Sequence, residues 1–175
     1  MGKLHLIIGP MFSGKTTRII EISKTYKNPA IINYALDTRY HATMLSTHDN
    51  KMVPCIQTLK ISTVICHKGV MDADAVLINE GQFFPDLYVS VLELCEKHNK
   101  TVYVCGLDGD FRRAPFGDLL NIIPLCDTIE KRSAICNKCK GVAIFTHRLI
   151  KSDEQVLIGS NEYIPVCRTC YYLLN

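Results

Sequence analysis

The sequence predicts an α/β fold, a mainly parallel sheet with helices on both faces, followed by a small C-terminal zinc-binding domain. Three observations carry this. Short β-branched runs alternate with segments of helical periodicity as far as about Thr128. A glycine-rich run, GPMFSGKT (Gly9 to Thr16), stands between the first such strand and the first such helix. Beyond Thr128 the chain turns to short strands, a polar loop and two C-x-x-C pairs. A boundary is expected near Lys131, with a nucleotide-binding domain over 1–130 and a zinc-binding domain over 131–175.

Taken in order, Lys3 to Ile8 reads as a buried strand. It is apolar but lacks a small-residue cleavage site, and the glycine-rich turn follows at once, so it is not read as a signal peptide. A helix is expected from about Thr16 to Tyr26, with Ile19, Ile20 and Ile22 inward and Arg18, Glu21 and Lys24 outward. Asn28-Pro29 stops it, and Ala30 to Tyr34 forms a second strand. From Leu36 to Asn50 periodicity is lost, and LDTRYHATMLSTHDN is expected to be a long, mobile, substrate-covering loop. Ala75 to Ile78 is the next core strand. Leu87 to His98 has helical spacing at Leu87, Val91, Leu94 and Cys95, and Thr101 to Cys105 is a further strand.

Bulk properties narrow the function. With 175 residues, 47% hydrophobic and 21% charged, the chain can bury an ordinary core without disulfide staples. A net charge of +3, scattered along the chain, argues against nucleic acid as the main partner. No apolar run approaches the roughly 18 residues that cross a bilayer. Leu6 stands where a myristoylation signal after Gly2 wants Ser or Thr. No membrane partner is therefore expected, and the compartment is expected to be the reducing cytoplasm. Nine cysteines there are not disulfides. Cys55, Cys66, Cys95, Cys105 and Cys126 stand alone, mostly in apolar runs, and are read as small core hydrophobes.

The run from Gly9 through Pro10, Met11, Phe12, Ser13, Gly14 and Lys15 to Thr16 fits G-x-x-x-x-G-K-[ST] in the strand–loop–helix setting that the chemistry needs. Glycines let successive N–H groups turn toward phosphate oxygens, and the helix N-terminus adds its partial positive charge. Lys15 should reach the β- and γ-phosphates and the Thr16 hydroxyl should ligate Mg²⁺. The motif specifies a nucleoside triphosphate such as ATP. It leaves the acceptor open: water, a protein or a small hydroxyl.

Glu80 bears on that choice. It follows the strand Ala75 to Ile78 directly, and ligands of open α/β sheets sit beyond the carboxyl ends of the strands. A carboxylate there can position water or take a proton from an attacking hydroxyl. The neighbours Phe83 and Phe84, with Phe111 and Phe116 in GLDGDFRRAPFG (Gly106 to Gly117), favour a flat organic acceptor.

Cys136-x-x-Cys139 and Cys167-x-x-Cys170 are separated by 27 residues. In a reducing compartment this reads as a tetrahedral structural zinc site, with no open position for catalysis. Neither pair is expected at a helix start in a thioredoxin-like setting. The polar insert THRLIKSDEQVLIGSNEY would be tied down at both ends as a flap, with Tyr163 near the cleft.

Together, IIGPMFSGKTT, LDTRY, THDN, NEGQFFPD, GLDGDFRRAPFG, AICNKC and YIPVCRTCYY resemble the small zinc-containing (type II) thymidine kinases, in family order over nearly the whole chain. The opening MGKLHLIIGPMFSGKTT and the short length are most similar to the poxvirus-like branch. The resemblance implies a RecA-like P-loop core and ATP-dependent phosphorylation of the thymidine 5′-hydroxyl, giving thymidine monophosphate and ADP. It implies Glu80 as general base, with Lys15 and Arg39 acting on the transferred phosphoryl group and Asp37 near the metal. Phe111 would contact the base, with Met11, Phe84, Leu107, Phe116 and Thr146 around it. Gln155, Val156, Leu157, Ile158 and Gly159, with Tyr163, would close over thymine as a lasso, largely through backbone hydrogen bonds. A homotetramer and feedback inhibition by thymidine triphosphate are further family expectations.

Two residues depart from the family pattern. Its strand ends in Asp-Glu, whereas this one ends in Asn79-Glu80; Asn79 keeps a carbonyl for a Mg²⁺-bound water but loses the charge, which Asp37 or Asp108 would partly offset. Asp110 stands where a small neutral residue is expected, either adding negative charge near Glu80 or facing solvent. Two other readings compete with the kinase. A nucleic-acid ATPase is suggested by the cluster Lys131, Arg132, Lys138 and Lys140 but lacks a broad basic stripe with stacking aromatics. A catalytically silent binding protein is suggested by Asn79 alone and opposed by Lys15, Thr16 and Glu80.

Overall fold

A computed structural model of the chain describes residues 1–36, 44–46, 52–157, 159 and 161–174. A parallel sheet forms its centre. The strands are β1 (Lys3–Ile8), β2 (Pro29–Tyr34), β5 (Ile56–Thr58), β6 (Ala75–Ile78), β7 (Thr101–Gly106) and β8 (Thr128–Lys131), ordered β5-β2-β6-β7-β1-β8. Every pairing in it is parallel.

Period-two alternation explains the layering. Leu4, Leu6, Ile8, Ala30, Ile32, Val76, Ile78, Val102 and Val104 point to one face. There they meet Leu87 and Val91 of α3 (Leu87–Leu92), together with Leu119 and Ile122. Ile7, Ile31, Ala75, Leu77 and Cys105 point to the other, where Ile19, Ile20 and Ile22 of α1 (Lys15–Ser23) cover them. A short helix, α2 (Lys68–Met71), adds Val70 to the first core.

β1, β2, β6 and β7 lie where the apolar runs put them, to within a residue. The helices are shorter than their periodicity suggests. α1 ends at Ser23 because the Ser23 and Thr25 hydroxyls take the Ile20 and Ile22 carbonyls, at 2.9 and 2.7 Å. α3 widens into a π-helical turn over Glu93–Lys97, with the His98 N–H bonded to the Glu93 carbonyl. Within the stretch read as a loop, β3 (Met44–Ser46) pairs antiparallel with β4 (Met52–Pro54). Most of that stretch lies outside the described residues.

After β8, two antiparallel ribbons follow. One joins β9 (Ala134–Ile135) to β10 (Val142–Ala143); the other joins β11 (Phe145–Arg148) to β12 (Tyr163–Val166). With α4 (Arg168–Leu174), they enclose a small core of Ala134, Cys136, Ala143, Val166 and Tyr171; α4 begins directly after Cys167, so the second cysteine pair does sit at a helix start, contrary to expectation.

Of the five lone cysteines, only Cys105 is buried, which corrects the expectation that all are core residues. Cys66 is exposed, and Cys55, Cys95 and Cys126 are half-buried at the edges of the two large cores.

Candidate active site

The phosphate-type loop runs from the C-terminal end of β1 into α1. Gly14 takes the left-handed conformation (φ 74°) as the residue preceding the helix, where a side chain would be strained. Lys15 is buried, and its ammonium donates to the Pro10 carbonyl at 2.6 Å and lies 3.4 Å from Ser13 Oγ. Ser13 Oγ donates to the same carbonyl at 2.8 Å, closing the loop on itself. Arg132, just past β8, donates to the Ser13 carbonyl at 2.9 Å and pairs with Glu130. The loop is therefore braced from the neighbouring strand. Lys131 is paired with Asp108 at 3.0 Å, so two of the four cations in the basic cluster have acidic partners.

β6 delivers Asn79 and Glu80 beside this loop. Thr16 Oγ1 lies 3.4 Å from Asn79 Oδ1, so the two groups that could face a Mg²⁺ ion are adjacent. Asn79 is fully buried; its amide donates to Asn33 Oδ1 at 2.8 Å, and its carbonyl accepts from the Cys105 thiol at 3.0 Å. Burial pushes that thiol up to about 12, with the nearby Glu80 charge adding to the shift and Lys15 opposing it. Asp108, considered as a compensating charge for Asn79, is engaged by Lys131. Asp37 and Arg39 lie outside the described residues.

Glu80 has a left-handed backbone (φ 55°, ψ 45°), uncommon for a residue with a side chain and characteristic of sites whose surroundings enforce it. Its carboxylate accepts from Gln82 Nε2 at 2.6 Å. Gln82 is buried, and its Oε1 accepts from the Leu107 N–H at 3.1 Å. Two glycines make room for it: a Cβ at Gly106 would lie 2.3 Å from Gln82 Oε1, and one at Gly117 would lie 2.1 Å from the Gln82 carbonyl. Gln82 therefore joins Glu80 to the 106–117 loop, and reading the sequence did not single it out. Its signal was the pair of glycines bounding that loop.

The aromatic residues divide. Phe83 stacks on Tyr34 (5.2 Å between ring centroids) and meets Phe116 edge-on at 5.3 Å. Phe84, expected around the base, is fully buried in the first core, edge-on to Tyr34. Phe111 is half-buried, with the Arg148 guanidinium 3.7 Å from its ring centroid.

The C-terminal ribbons meet the phosphate loop where the Met11 N–H donates to Thr146 Oγ1 at 3.0 Å. Tyr163 donates to the Leu157 carbonyl at 3.0 Å, and Gln155 Nε2 donates to Asp110 Oδ2 at 2.9 Å. Val156 is exposed, Gly159 packs against Glu162, and Ile158 lies outside the described residues. Asp110 is not solvent-facing. It is buried, and its Oδ1 accepts from the N–H groups of Arg112 and Ala114 at 2.8 and 2.9 Å. The carboxylate serves its own turn and the Gln155 amide.

Cys136, Cys139, Cys167 and Cys170 converge, their sulfurs all within 4.8 Å of one another and Cys139 to Cys167 at 3.6 Å. Thiolates about 2.3 Å from a tetrahedral zinc stand about 3.8 Å apart, so this donor set fits the ion. The Cys167 N–H donates to Cys136 Sγ at 3.3 Å, a backbone contact that favours the thiolate. Among the described residues no helix is long and apolar enough to cross a membrane.

Residues 2–171 match the model of the family described as Thymidine kinase. The chain belongs to the thymidine kinase family. Its thymidine kinase relatives include that of Yaba monkey tumor virus (strain VR587), 40% identical over 99% of this chain and 97% of the relative. Vaccinia virus (strain Western Reserve) thymidine kinase is 40% identical over 97% of each chain. The cytosolic thymidine kinase of Gallus gallus is 36% identical over 98% of this chain and 77% of its own. Membership of the thymidine kinase family makes the acceptor a nucleoside hydroxyl and the donor ATP, which the loop between β1 and α1 is built to receive.

Proposed function

We propose that the chain transfers the γ-phosphate of ATP to the 5′-hydroxyl of thymidine, with Glu80 as the general base. The Thr16–Asn79 contact at 3.4 Å carries this reading, because it puts the end of β6, and with it Glu80, beside the phosphate loop. Glu80 accepts the hydroxyl proton as that oxygen attacks phosphorus, while Gln82 holds the carboxylate by its hydrogen bond. Lys15 and the loop from Gly9 to Thr16 neutralise the phosphate charge, joined by Arg39. Thr16, Asn79 and Asp37 offer oxygens to a Mg²⁺ ion, which when bound polarises the phosphate oxygens.

The base lies on Phe111 within a wall of Met11, Leu107, Phe116 and Thr146, with Phe83 completing it and Phe84 supporting from beneath. The lasso from Gln155 to Gly159, anchored by Tyr163 and the zinc knuckles, closes over it. Thymidine triphosphate combines that base with a phosphate tail and acts as feedback inhibitor. The assembly is a homotetramer working in the cytoplasm, that of the host for a viral protein.

Thymidine-dependent ADP formation by wild type and E80Q tests this reading. A fall of about 100-fold or more in kcat, with ATP-analogue binding unchanged, is expected of a lost general base. Phosphorylation at full speed in E80Q refutes it. ATP turnover driven by single-stranded DNA and not by thymidine would favour the nucleic-acid ATPase.

A further inference from the structure

Arg148 ends β11 with its side chain buried, 5% exposed, and nothing in the proposed chemistry uses it. Its guanidinium makes five hydrogen bonds among the described residues, all to neutral oxygens. Nε and Nη2 donate to the Tyr163 hydroxyl at 3.2 and 2.7 Å, Nη1 to the Ser152 carbonyl at 3.1 Å, and Nη2 to the Gln155 carbonyl at 3.1 Å. Nη1 also reaches the Glu154 carbonyl. One face of the guanidinium lies over Phe111.

Burying a cation against dipoles and a ring is a poor way to gain stability, since an apolar side chain of similar volume would pack there without the desolvation cost. What the arginine supplies is geometry. Its flat fork gathers carbonyls from a short loop that has no strand partner of its own. Each trans peptide points its N–H opposite to its C=O, so drawing in the carbonyls of Glu154 and Gln155 turns the N–H groups of Gln155 and Val156 away from the guanidinium. The Tyr163 hydroxyl, fixed by the same fork, donates to the Leu157 carbonyl at 3.0 Å.

We propose that Arg148 is the positioning residue that presets the 152–157 loop against the Phe111 ring, so that the loop's backbone donors are already aimed when the pyrimidine base arrives. This deepens the thymidine kinase reading and rests on it for the identity of the ligand. A preset loop lowers the ordering cost of binding, so Arg148 acts on nucleoside affinity and not on phosphoryl transfer.

The test uses the full-length, zinc-loaded chain with R148M and R148K. The Michaelis constant for thymidine is expected to rise about tenfold or more in both, since a lysine cannot reproduce the fork. The values of kcat at saturating thymidine and KM for ATP are expected to stay within about twofold of wild type, as for lost uniform binding. Trypsin cleavage after the exposed Lys151, measured without nucleoside, is expected to accelerate in both variants. In R148A, added ethylguanidinium should restore the thymidine KM and ethylammonium should not.

An unchanged KM for thymidine, or a fall in kcat at constant KM, overturns the proposal. So does loss of zinc or of cooperative unfolding in both R148M and R148K, which would make Arg148 part of the fold. The cleavage rate decides the positioning role even for a wild type that phosphorylates no nucleoside, an outcome that would remove the functional reading instead.

Discussion

Gln82 holds Glu80 at 2.6 Å while accepting the Leu107 N–H at 3.1 Å, so one buried amide connects the candidate base to the loop that carries Phe111. Replacing it with leucine keeps the volume but removes both bonds. The Leu107 N–H is then left unpaired, and the Glu80 carboxylate loses the Gln82 hydrogen bond. We expect kcat for thymidine phosphorylation to fall about 10- to 100-fold in Q82L, the loss of one hydrogen bond to a charged group. Steady-state kinetics with a thermal-melting control checks this; unchanged kcat would show that Gln82 does not set the position of Glu80.

Asn79 answers to two neighbours at once. Its nitrogen donates to Asn33 and its carbonyl turns toward Thr16 and Cys105, so an amide is the group that fits both ends. An aspartate would bring an anion to the Thr16 side and set an oxygen against Asn33 Oδ1. N79D should therefore lower the Mg²⁺ concentration for half-maximal activity by about tenfold, or about 1.4 kcal/mol. It should also reduce stability by about 1–3 kcal/mol through the lost donor. A Mg²⁺ titration that superimposes on wild type ends the argument.

Asp86 closes the N-terminal end of a different turn. Its carboxylate accepts from the N–H groups of Ile61 at 3.1 Å and Ser62 at 2.9 Å. Partial burial pushes its pKa up, but these donors outweigh it and hold the group below its ordinary value of 3.8. A depressed folded-state value means stability that is present above the unfolded pKa and lost as pH falls through the folded one. D86N should be less stable than wild type by about 1 kcal/mol at pH 7, a modest figure because solvent screens the site. The gap should close as pH drops below 3.8 toward the folded value. Denaturant midpoints at neutral and acid pH measure it; a gap independent of pH assigns the effect to shape and not to charge.

The legible parts of the molecule were those written in local pattern. β6 is buried on both faces, so Ala75 to Ile78 reads as one apolar run; the phosphate loop and the cysteine pairs carry their meaning in fixed spacing. The edge strand β5 was not legible, because Ile56–Thr58 is three residues long and half-buried. Asn33, Gln82 and Arg148 were missed for another reason. Each is a single polar residue whose partners lie elsewhere in the chain or in a loop without periodicity, and burial, not sequence, marks it. Phe83 and Phe84 are adjacent and identical in sequence, and only burial separates them, Phe84 lying in the core and Phe83 half-exposed.

The four cysteines bear on more than their own small core. Cys136 is itself a member of that core, and Val166 and Cys167 lie on the strand and turn that return from the Arg148–Tyr163 ribbon. Losing the metal should therefore loosen the base pocket while leaving the phosphate loop intact, since that loop is braced by Arg132. C136S is expected to hold well under the roughly one zinc per chain that a four-thiolate site binds. Its KM for thymidine should rise about tenfold or more while ATP-analogue affinity changes less than about threefold. Zinc analysis and the two binding measurements together decide it: equal losses for both ligands would mean that the ribbons and the phosphate loop fold as one unit.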